Sequence, residues 1–417
     1  MRSLRDDLAA GNTSALATFW AEIALVGAPL IEPVEGEADQ RLVTFLWHET
    51  EPVENVKLFE WFSEGDPGNK PFTKLDGSDV WYRTYVMTSD LRVDYTIAVN
   101  DTGGNLRGDP TYKERMKKAI RDPLNPHHLV QPWMTIPEDS FADDSSLLTL
   151  PDAPPFVWKG LRDVPHGTVT KQRFASELLG NERDIWVYTH PGYEASTEDA
   201  ILLIQFDGDQ CLGLLDVPNT LDNLTAAGKI RPIVGVFVGN VDRGGELPCN
   251  PTFANFLADE LIPFMRATYR VAPGPESVIA SGQSYGGLAS AWVGLTRADA
   301  VGNVLSQSGS YWWLPNPERH LWRGHIIGEA PETGWLPQQV ATWDPVPTRF
   351  YMEAGTLEAQ NSGVAPSLLS TNRHMRDVLI AKGFDVTYGV YGGGHSWFQW
   401  AEGIAGGLIH LAGTADA

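Results

Sequence analysis

A chain of 417 residues that is 42% hydrophobic and 20% charged is neither disordered nor fibrous, and it exceeds the size that one hydrophobic core usually serves. Its net charge of −22, from 53 acidic against 31 basic side chains, disfavours nucleic acid and anionic membranes as general partners. We therefore expect a globular protein of two domains, in which an anionic ligand needs a local basic pocket.

The first predicted element lies near the N-terminus. Leu16, Phe19, Trp20 and Ile23 recur at helical spacing, which predicts an amphipathic helix. Acidic residues interrupt this region, whereas an export signal has an uninterrupted apolar stretch. No run in the chain reaches the ~18 apolar residues of a membrane-spanning helix. We therefore expect a cytoplasmic protein that inserts into no membrane.

Four short segments with strand-like alternation follow, separated by turns rich in glycine and aspartate. They are RLVTFLWHE, NVKLFEWF, VWYRTYVM and RVDYTIAVN. This pattern is typical of strands in a small antiparallel β-sandwich. The charged segment YKERMKKAIRD then predicts a helix, which leads into the extended PLNP.

A stretch rich in serine, aspartate and proline, SFADDSSLLTLPDAPPFVWKG, precedes a change of pattern. After it, apolar runs alternate with longer helical stretches such as TFANFLADELIPFMRATY and STNRHMRDVLIAKG. The runs are DIWVYTH, ILLIQFDG, PIVGVFVGN, VIASGQS, NVLSQSGS, RFYMEAG and DVTYGVYGG. Continuous apolar strands with helical crossovers predict a mostly parallel sheet covered on both faces. We expect a β-sandwich domain at 1–155 and an α/β domain at 156–417.

Ser284 lies in the stretch VIASGQSYGGLASAWVGL, between a predicted strand and a predicted helix. A nucleophile elbow needs this strand–turn–helix context, and small residues such as Gly282 and Gly286 relieve the clash of its strained turn. The bare pattern is weak evidence in a chain with 41 glycines, but the flanking elements support it. We predict that Ser284 is a nucleophile.

A serine hydroxyl attacks efficiently only when a base takes its proton. In folds of this kind the chain order is serine, acid, histidine. His395 lies in the glycine-rich loop after the last predicted strand and is the predicted base. For the acid we favour Glu358, because a carboxylate must lie beyond its strand to reach the imidazole Nδ1–H. Glu353, Asp344, and a Ser–His dyad without a strong acid stay open as alternatives.

Donors for an oxyanion are expected in two places. One is the N–H of Tyr285, directly after the nucleophile. The other is an N–H in QFDGDQC, after an early strand, from Gly208 or Asp209. Gly208 as an ordinary turn glycine stays open.

The sequence indicates no cofactor. Motifs of zinc, calcium, nucleotide and dinucleotide sites are not found, so we predict neither a metal nor a cofactor. Cys211 and Cys249 are the two cysteines, too few for a disulfide scaffold. Two reduced thiols are the favoured interpretation, and a single bridge stays open.

Six segments together resemble the bacterial enterochelin (enterobactin) esterase family. They are VTFLWHE and DPLNP (Asp122–Pro126) in the N-terminal part, and ELPCN (Glu246–Asn250), GQSYGGLAS, LSQSGSYWW (Leu305–Trp313) and GGGHSW in the C-terminal part. Their joint occurrence in this order is far more specific than one Gly-x-Ser-x-Gly pattern. The resemblance covers most of the chain and implies an α/β-hydrolase domain preceded by a β-sandwich domain.

The resemblance also implies a reaction: hydrolysis of the ester bonds in a cyclic tri-serine lactone that bears catechol groups, so that iron is released in the cytoplasm. Carried over by position, Ser284 is the nucleophile, His395 the base, and Arg243 lies near the substrate. A ferric tricatecholate is trianionic, so an acidic protein needs such a placed cation. Trp312 and Trp313 are candidate faces for catechol rings. An ordinary surface arginine, and tryptophans packed in the core or a lid, stay open.

One position departs from the family pattern. Ser396 follows His395, where family members often carry an acidic residue. If that carboxylate assists the histidine there, this chain relies on Glu358 or on no acid. Two other functions stay open: an esterase of the same fold acting on other aryl or acyl esters, and a binding protein with an inactive hydrolase domain. A buried Ser284, with His395 beyond hydrogen-bond reach, would favour the binding protein.

Overall fold

The computed structural model describes residues 1–63, 66–106, 109–128, 145–160, 163–315, 334–359 and 367–414. The chain divides into two compact units, and the division falls between Pro154 and Pro155. The boundary expected from the sequence lies one residue later. Among the described residues, none of the helices combines the length and apolar character that a membrane span requires.

The first unit begins with two helices and continues with two antiparallel sheets. Its described elements are α1 (Arg2–Ala9), α2 (Ala15–Val26), β1 (Leu30–Val34), β2 (Glu37–His48), β3 (Val56–Glu60), β4 (Thr73–Lys74), β5 (Val80–Thr88), β6 (Arg92–Val99), α3 (Tyr112–Lys118) and β7 (Ser146–Thr149). One sheet has the order β1-β2-β5-β4 and the other the order β3-β6-β7. The four predicted strands correspond to β2, β3, β5 and β6.

The core of the first unit lies between its two sheets. Phe45 of one sheet meets Tyr95 of the other edge to face, with ring centroids 4.7 Å apart. The two sheets therefore pack on each other as the predicted sandwich. Helix α2 buries Phe19 and Ile23 against this unit together with Leu46. The predicted amphipathic helix is thus confirmed.

The helix predicted in YKERMKKAIRD is shorter than expected. It ends at Lys118, and Ala119 is already extended. Directly afterwards, Ile120 forms an antiparallel bridge with Ile97 of β6, with both N–H···O distances at 2.8 Å. This pairing uses the N–H and the carbonyl of Ile120, which a continued helix would need for its own hydrogen bonds. The charged pattern alone therefore predicted a helix that is too long.

The DPLNP motif folds the chain after that bridge. The buried Asp122 carboxylate accepts hydrogen bonds from the Tyr95 hydroxyl at 2.8 Å and from the N–H of Leu124 at 2.9 Å. Asn125 donates to the Tyr95 hydroxyl at 2.9 Å. Its Oδ1 accepts the N–H of His127 at 2.8 Å. The polar residues of this motif therefore form hydrogen bonds within the fold and hold a turn against β6.

The second unit alternates strands and helices. Its described elements are β8 (Thr168–Ser176), β9 (Asn181–Thr189), β10 (Ile201–Gln205), α4 (Gly208–Gly213), α5 (Val217–Ala226), β11 (Ile233–Val238), α6 (Arg243–Glu246), α7 (Pro251–Asn255), α8 (Ile262–Thr268), β12 (Val278–Gln283), α9 (Tyr285–Thr296), β13 (Asn303–Gln307), α10 (Trp335–Thr342), β14 (Arg349–Gly355), α11 (Leu368–Ala381), β15 (Asp385–Tyr391) and α12 (Trp397–Ala412). A π-helical turn (Phe256–Leu261) joins α7 and α8, where the sequence predicted one helix.

The strands of this unit form one eight-stranded sheet in the order β15-β14-β13-β12-β10-β11-β9-β8. Strands β10 to β15 run parallel to one another, β9 is antiparallel to them, and the edge strand β8 is antiparallel to β9. Successive residues of β10 enter different cores: Leu202 is buried with Trp292 of α9, and Leu203 with Leu408 of α12. Burial on both faces explains why these strands are continuous apolar runs. The predicted mostly parallel sheet is confirmed.

Candidate active site

The carboxyl edge of the parallel sheet gathers the candidate residues. Ser284 directly follows β12, Glu358 lies in a 3₁₀ turn (Thr356–Ala359) after β14, and His395 lies between β15 and α12. Gly208 and Arg243 follow β10 and β11 in the same way. Ligands of open α/β sheets bind at this edge because the strand ends and their loops converge there.

The backbone of Ser284 adopts the strained geometry of a nucleophile elbow. Its φ is 57° and its ψ is −116°, a region that non-glycine residues seldom occupy. A Cβ added to Gly282 would lie 2.5 Å from the carbonyl carbon of Gly286, so only glycine fits there. The N–H of Ser284 donates to the carbonyl of Gln307 at 3.0 Å, which ties the turn to β13.

His395 and Glu358 form a hydrogen-bonded pair. Nδ1 of His395 lies 2.5 Å from Oε1 of Glu358. The glutamate side chain is 2% exposed and the imidazole 33%. Because an ionised carboxylate only accepts hydrogen bonds, the shared proton belongs on Nδ1, which leaves the lone pair of Nε2 free to take a proton. The pair therefore has the geometry of a general base and its orienting acid.

The other oxygen of Glu358 also has two donors. Oε2 accepts the N–H of Gly355 at 2.7 Å and the hydroxyl of Ser308 at 2.9 Å. Ser308 has a φ of 49° and is fully buried directly after β13. The sequence analysis missed this serine, although it lies within the quoted LSQSGSYWW segment.

The alternative acids lie elsewhere. Glu353 is a residue of β14, and its carboxylate accepts the side-chain N–H of Gln307 in the neighbouring strand β13 at 2.7 Å. Burial raises the pKa of Glu353 to about 7. Asp344 is exposed and precedes β14, at the opposite edge of the sheet. Of the three carboxylates weighed from the sequence, only Glu358 contacts His395.

The hydroxyl of Ser284 contacts a second serine. Its Oγ lies 3.2 Å from Oγ of Ser310, and the hydrogen bonds of the described residues do not include one between Ser284 and His395. Hydrogen bonds of catalytic groups are often long in ligand-free sites and tighten when substrate binds. Ser284 is half-buried. The hypothesis of a binding protein with an inactive hydrolase domain required a buried Ser284, and this condition is not met.

The candidate oxyanion donors lie at two helix starts. The N–H groups of Gly208 and Asp209 begin α4, and that of Tyr285 begins α9; within the described chain none of the three bonds to a backbone carbonyl. A Cβ on Gly208 would approach the backbone of Phe237 to 2.6 Å, so this glycine allows a close strand contact and is more than a turn residue. Burial raises the pKa of the Asp209 carboxyl group beside these donors.

Arg243 reaches the same loop through Asp207, a residue that the sequence analysis did not single out. Its Nε and one Nη donate to the two oxygens of the fully buried Asp207 at 2.6 and 2.8 Å. The guanidinium carbon lies 5.5 Å from the ring centre of Tyr285, and the side chain stays 35% exposed. Arg243 thus joins the loop after β10 to the elbow, and Asp207 balances its charge.

The two candidate tryptophans differ in exposure. Trp312 is 5% exposed, and its ring centre lies 5.9 Å from that of Tyr285. Trp313 is half-buried and perpendicular to Trp335 at 6.0 Å. Trp312 is therefore mostly packed beside the elbow, and Trp313 presents more free surface. Their contact with a substrate stays a prediction.

The structure also explains the ELPCN segment. Glu246 forms a bidentate ion pair with the buried Arg183, at 2.7 and 3.0 Å. Asn250 caps α7 by accepting the N–H of Thr252 at 2.8 Å. Both residues stabilise the loop that carries Arg243. Cys211 and Cys249 are buried free thiols.

No group of three or more histidine, cysteine, aspartate or glutamate side chains suited to a metal ion occurs within the described ranges. The prediction that the protein needs no cofactor is untested by this observation and stays a prediction.

Comparison with known proteins gives two family matches. Residues 176–411 match the family described as putative esterase, and residues 42–159 match the family described as enterochelin esterase, N-terminal. An iron(III) enterobactin esterase of Dickeya dadantii is 29% identical over 431 residues, covering 94% of this chain and 92% of the relative. An iron(III) salmochelin esterase of Escherichia coli is 27% identical over 425 residues, covering 99% and 97%.

Solved structures share the fold. The ferric enterobactin esterase of Salmonella typhimurium matches with a TM-score of 0.76 at 24% identity, covering 95% of this chain and 98% of that one. The enterobactin esterase of Shigella flexneri, crystallised in the presence of enterobactin, matches with a TM-score of 0.70 at 24% identity, covering 94% and 97%. The resemblance indicated by the six sequence segments is confirmed. Since the esterase match spans more than half of the chain, the chain belongs to the esterase family, with an N-terminal part of the enterochelin esterase type.

Proposed function

We propose that this protein is a serine esterase that hydrolyses the trilactone ester bonds of catecholate siderophores of the enterobactin type, and so allows iron release in the cytoplasm. The observation that carries the chemistry is the 2.5 Å hydrogen bond between Glu358 and His395, at the same sheet edge as the elbow of Ser284. The substrate class rests on the relatives, which are named enterobactin and salmochelin esterases.

In the proposed reaction Ser284 Oγ attacks an ester carbonyl while Nε2 of His395 takes its proton. The oxyanion that forms accepts hydrogen bonds from the N–H of Tyr285 and from that of Gly208 or Asp209. His395 then protonates the leaving alkoxide of the lactone serine, and an acyl-enzyme remains. A water molecule, deprotonated by the same imidazole, releases the acid.

Glu358 acts through His395. It holds the imidazole in the tautomer with the proton on Nδ1 and stabilises the imidazolium while the proton is on Nε2. Although position 396 is a serine, His395 has an orienting carboxylate, because Glu358 contacts its Nδ1. The iron is part of the substrate and takes no part in these steps.

The test is product analysis after the purified protein is mixed with ferric enterobactin, with Ser284→Ala as the control. We expect the linear trimer, dimer or monomer of dihydroxybenzoylserine from the wild type and none from the variant. Unchanged enterobactin in both samples would refute the proposed substrate. Equal cleavage by both proteins would refute Ser284 as the nucleophile.

A second candidate is an esterase of the same fold that acts on other aryl or acyl esters. The pairing of Arg243 with Asp207 favours it, because this cation is already balanced before a trianionic ligand arrives. Turnover of p-nitrophenyl acetate that depends on Ser284, without cleavage of ferric enterobactin, would establish this candidate in place of the first.

A further inference from the structure

The hydroxyl of Ser308 lies where the acid of the triad needs support. A carboxylate that orients a histidine must itself be prevented from rotating, because rotation would move its accepting oxygen out of line with Nδ1. In Glu358 one oxygen faces His395, and the other is held by Ser308 at 2.9 Å and by the N–H of Gly355 at 2.7 Å. The Gly355 contact comes from three residues away, at the end of β14, whereas Ser308 directly follows the neighbouring strand β13.

Besides Glu358, the Ser308 hydroxyl has two polar neighbours, Trp400 and Tyr391. The indole Nε1–H of Trp400, which can only donate, points at Ser308 Oγ from 2.9 Å. The hydroxyl of Tyr391 lies 3.0 Å from the same oxygen and 3.2 Å from the carbonyl of Gly394. Since an ionised carboxylate only accepts hydrogen bonds, the hydrogen of Ser308 Oγ points at Glu358, and the lone pairs of Oγ are left to accept from Trp400.

Ser308 is held in an unusual backbone conformation. The residue is fully buried, and its φ of 49° is one that non-glycine residues seldom adopt unless the surrounding structure holds them there. Its N–H donates to the carbonyl of Glu353 at 2.7 Å, so β14, which leads to Glu358, also anchors the strained residue. Trp400 connects the cluster to the base as well, since its ring meets that of His395 edge to face at 4.7 Å.

We propose that Ser308 is a positioning residue, which locks the carboxylate of Glu358 so that one oxygen stays aligned with Nδ1 of His395. This inference deepens the proposed function and rests on it. Ser308 touches neither substrate nor the reacting atoms, and it acts only through Glu358 and His395. Trp400 and Tyr391 orient the Ser308 hydroxyl in turn.

The test compares Ser308→Ala and Ser308→Gly with the wild type. Glycine adopts positive φ without strain, so Ser308→Gly removes the hydroxyl while it relieves the backbone. With p-nitrophenyl acetate as the neutral probe, we expect each variant to lower kcat about tenfold, with KM within about twofold, as for other partners that orient a functional group indirectly. Proton NMR should show the His395 Nδ1–H resonance far downfield in the wild type and shifted or broadened in both variants.

Thr348→Val is the matched control. Thr348 also buries a hydroxyl next to β14, but at the other edge of the sheet, where it donates to the carbonyl of Gly294 at 2.7 Å. We expect this variant to lose stability while it keeps the wild-type kcat and Nδ1–H resonance. If only general damage mattered, Thr348→Val and Ser308→Ala would behave alike.

The two proposals fail in different ways. A folded Ser308→Gly protein with wild-type kcat and an unchanged Nδ1–H resonance would overturn the role of Ser308 and leave the esterase intact. A wild type that hydrolyses neither probe nor siderophore would overturn the proposed function. In that case the resonance still decides the role of Ser308: a shift in both Ser308 variants supports it, and no shift refutes it.

Discussion

Each unit of the molecule buries a carboxylate in a hydrogen-bonded cluster. In the first unit Asp122 accepts from Tyr95 and from the backbone, and Asn125 completes the cluster. In the second unit Glu358 accepts from Ser308, from a backbone N–H and from His395. Both clusters include residues of the segments that carry the family resemblance.

The two clusters differ in whether they include an exposed titratable side chain. The groups around Asp122 bind one another inside the fold, so that cluster holds a turn. The cluster around Glu358 ends on an imidazole that is one third exposed and faces the loops of the sheet edge. Burial of an acid therefore does not by itself indicate chemistry. The informative feature is an exposed titratable partner at the end of the network.

The largest expected effect comes from removing His395, the base at the exposed end of the second cluster. We expect His395→Ala to lower kcat/KM for p-nitrophenyl acetate roughly 10³-fold or more, because it removes the base that takes the proton of Ser284. Glu358→Gln should lower it less, on the order of 10²-fold, since the base remains but loses its orienting acceptor. Steady-state kinetics, with circular dichroism to check folding, measures both. A silent Glu358→Gln would refute the acid assignment.

A smaller loss is expected when Arg243 is removed. Arg243→Ala leaves the buried Asp207 without its counter-charge, in the loop that carries the oxyanion donors. We expect kcat for the neutral ester to fall roughly tenfold. KM for ferric enterobactin should rise as well, if the arginine also faces the trianion.

Arg243→Lys separates these two roles, because it keeps the charge and loses the two-point contact with Asp207. We expect it to retain more affinity for ferric enterobactin than Arg243→Ala at a similar kcat. Equal effects of Arg243→Ala on KM for the charged siderophore and the neutral ester would remove Arg243 from the substrate pocket.

Glu353 sharpens the comparison within the second unit, because it is a buried acid whose nearest donor is the fully buried side chain of Gln307. Burial raises its pKa from 4.5 to about 7, so the folded protein binds this proton more tightly than the unfolded chain between those values. The stability of the wild type therefore falls as pH rises through that window, by on the order of 3 kcal/mol from this group.

Glu353→Gln removes that titration and keeps an acceptor for Gln307. We expect the free energy of unfolding of the variant, relative to the wild type, to increase between about pH 5 and about pH 8. Urea unfolding at both pH values measures it. A difference that does not change with pH would show that Glu353 is already ionised across the window.

The smallest effect on activity is expected in the first unit. Asp122→Asn turns one acceptor of the DPLNP turn into a donor, so one of the contacts to Tyr95 and Leu124 is lost, at a cost of about 1 kcal/mol. We expect a lower Tm and a kcat/KM for p-nitrophenyl acetate within about twofold of the wild type. A tenfold loss of kcat without unfolding would contradict the structural role of this motif.

The local sequence pattern was sufficient to predict much of the fold and part of the candidate active site. The strands of the second unit are apolar runs because both of their faces are covered, so consecutive residues of the sequence are enough to predict them. The elbow was predictable for a similar reason, since the strain at Ser284 and the clash at Gly282 arise within five residues. His395 and Glu358 followed from chain order and from their positions just beyond strand ends.

The remaining features depend on residues far apart in sequence, which is why only the tertiary structure decided them. The helix before DPLNP stops because Ile120 pairs with Ile97, and no local signal marks that pairing. Arg243 meets Asp207 across 36 residues, and Ser308 meets Glu358 across 50. A single sequence determines which residue types lie at each strand end, whereas the order of the strands determines which of them touch.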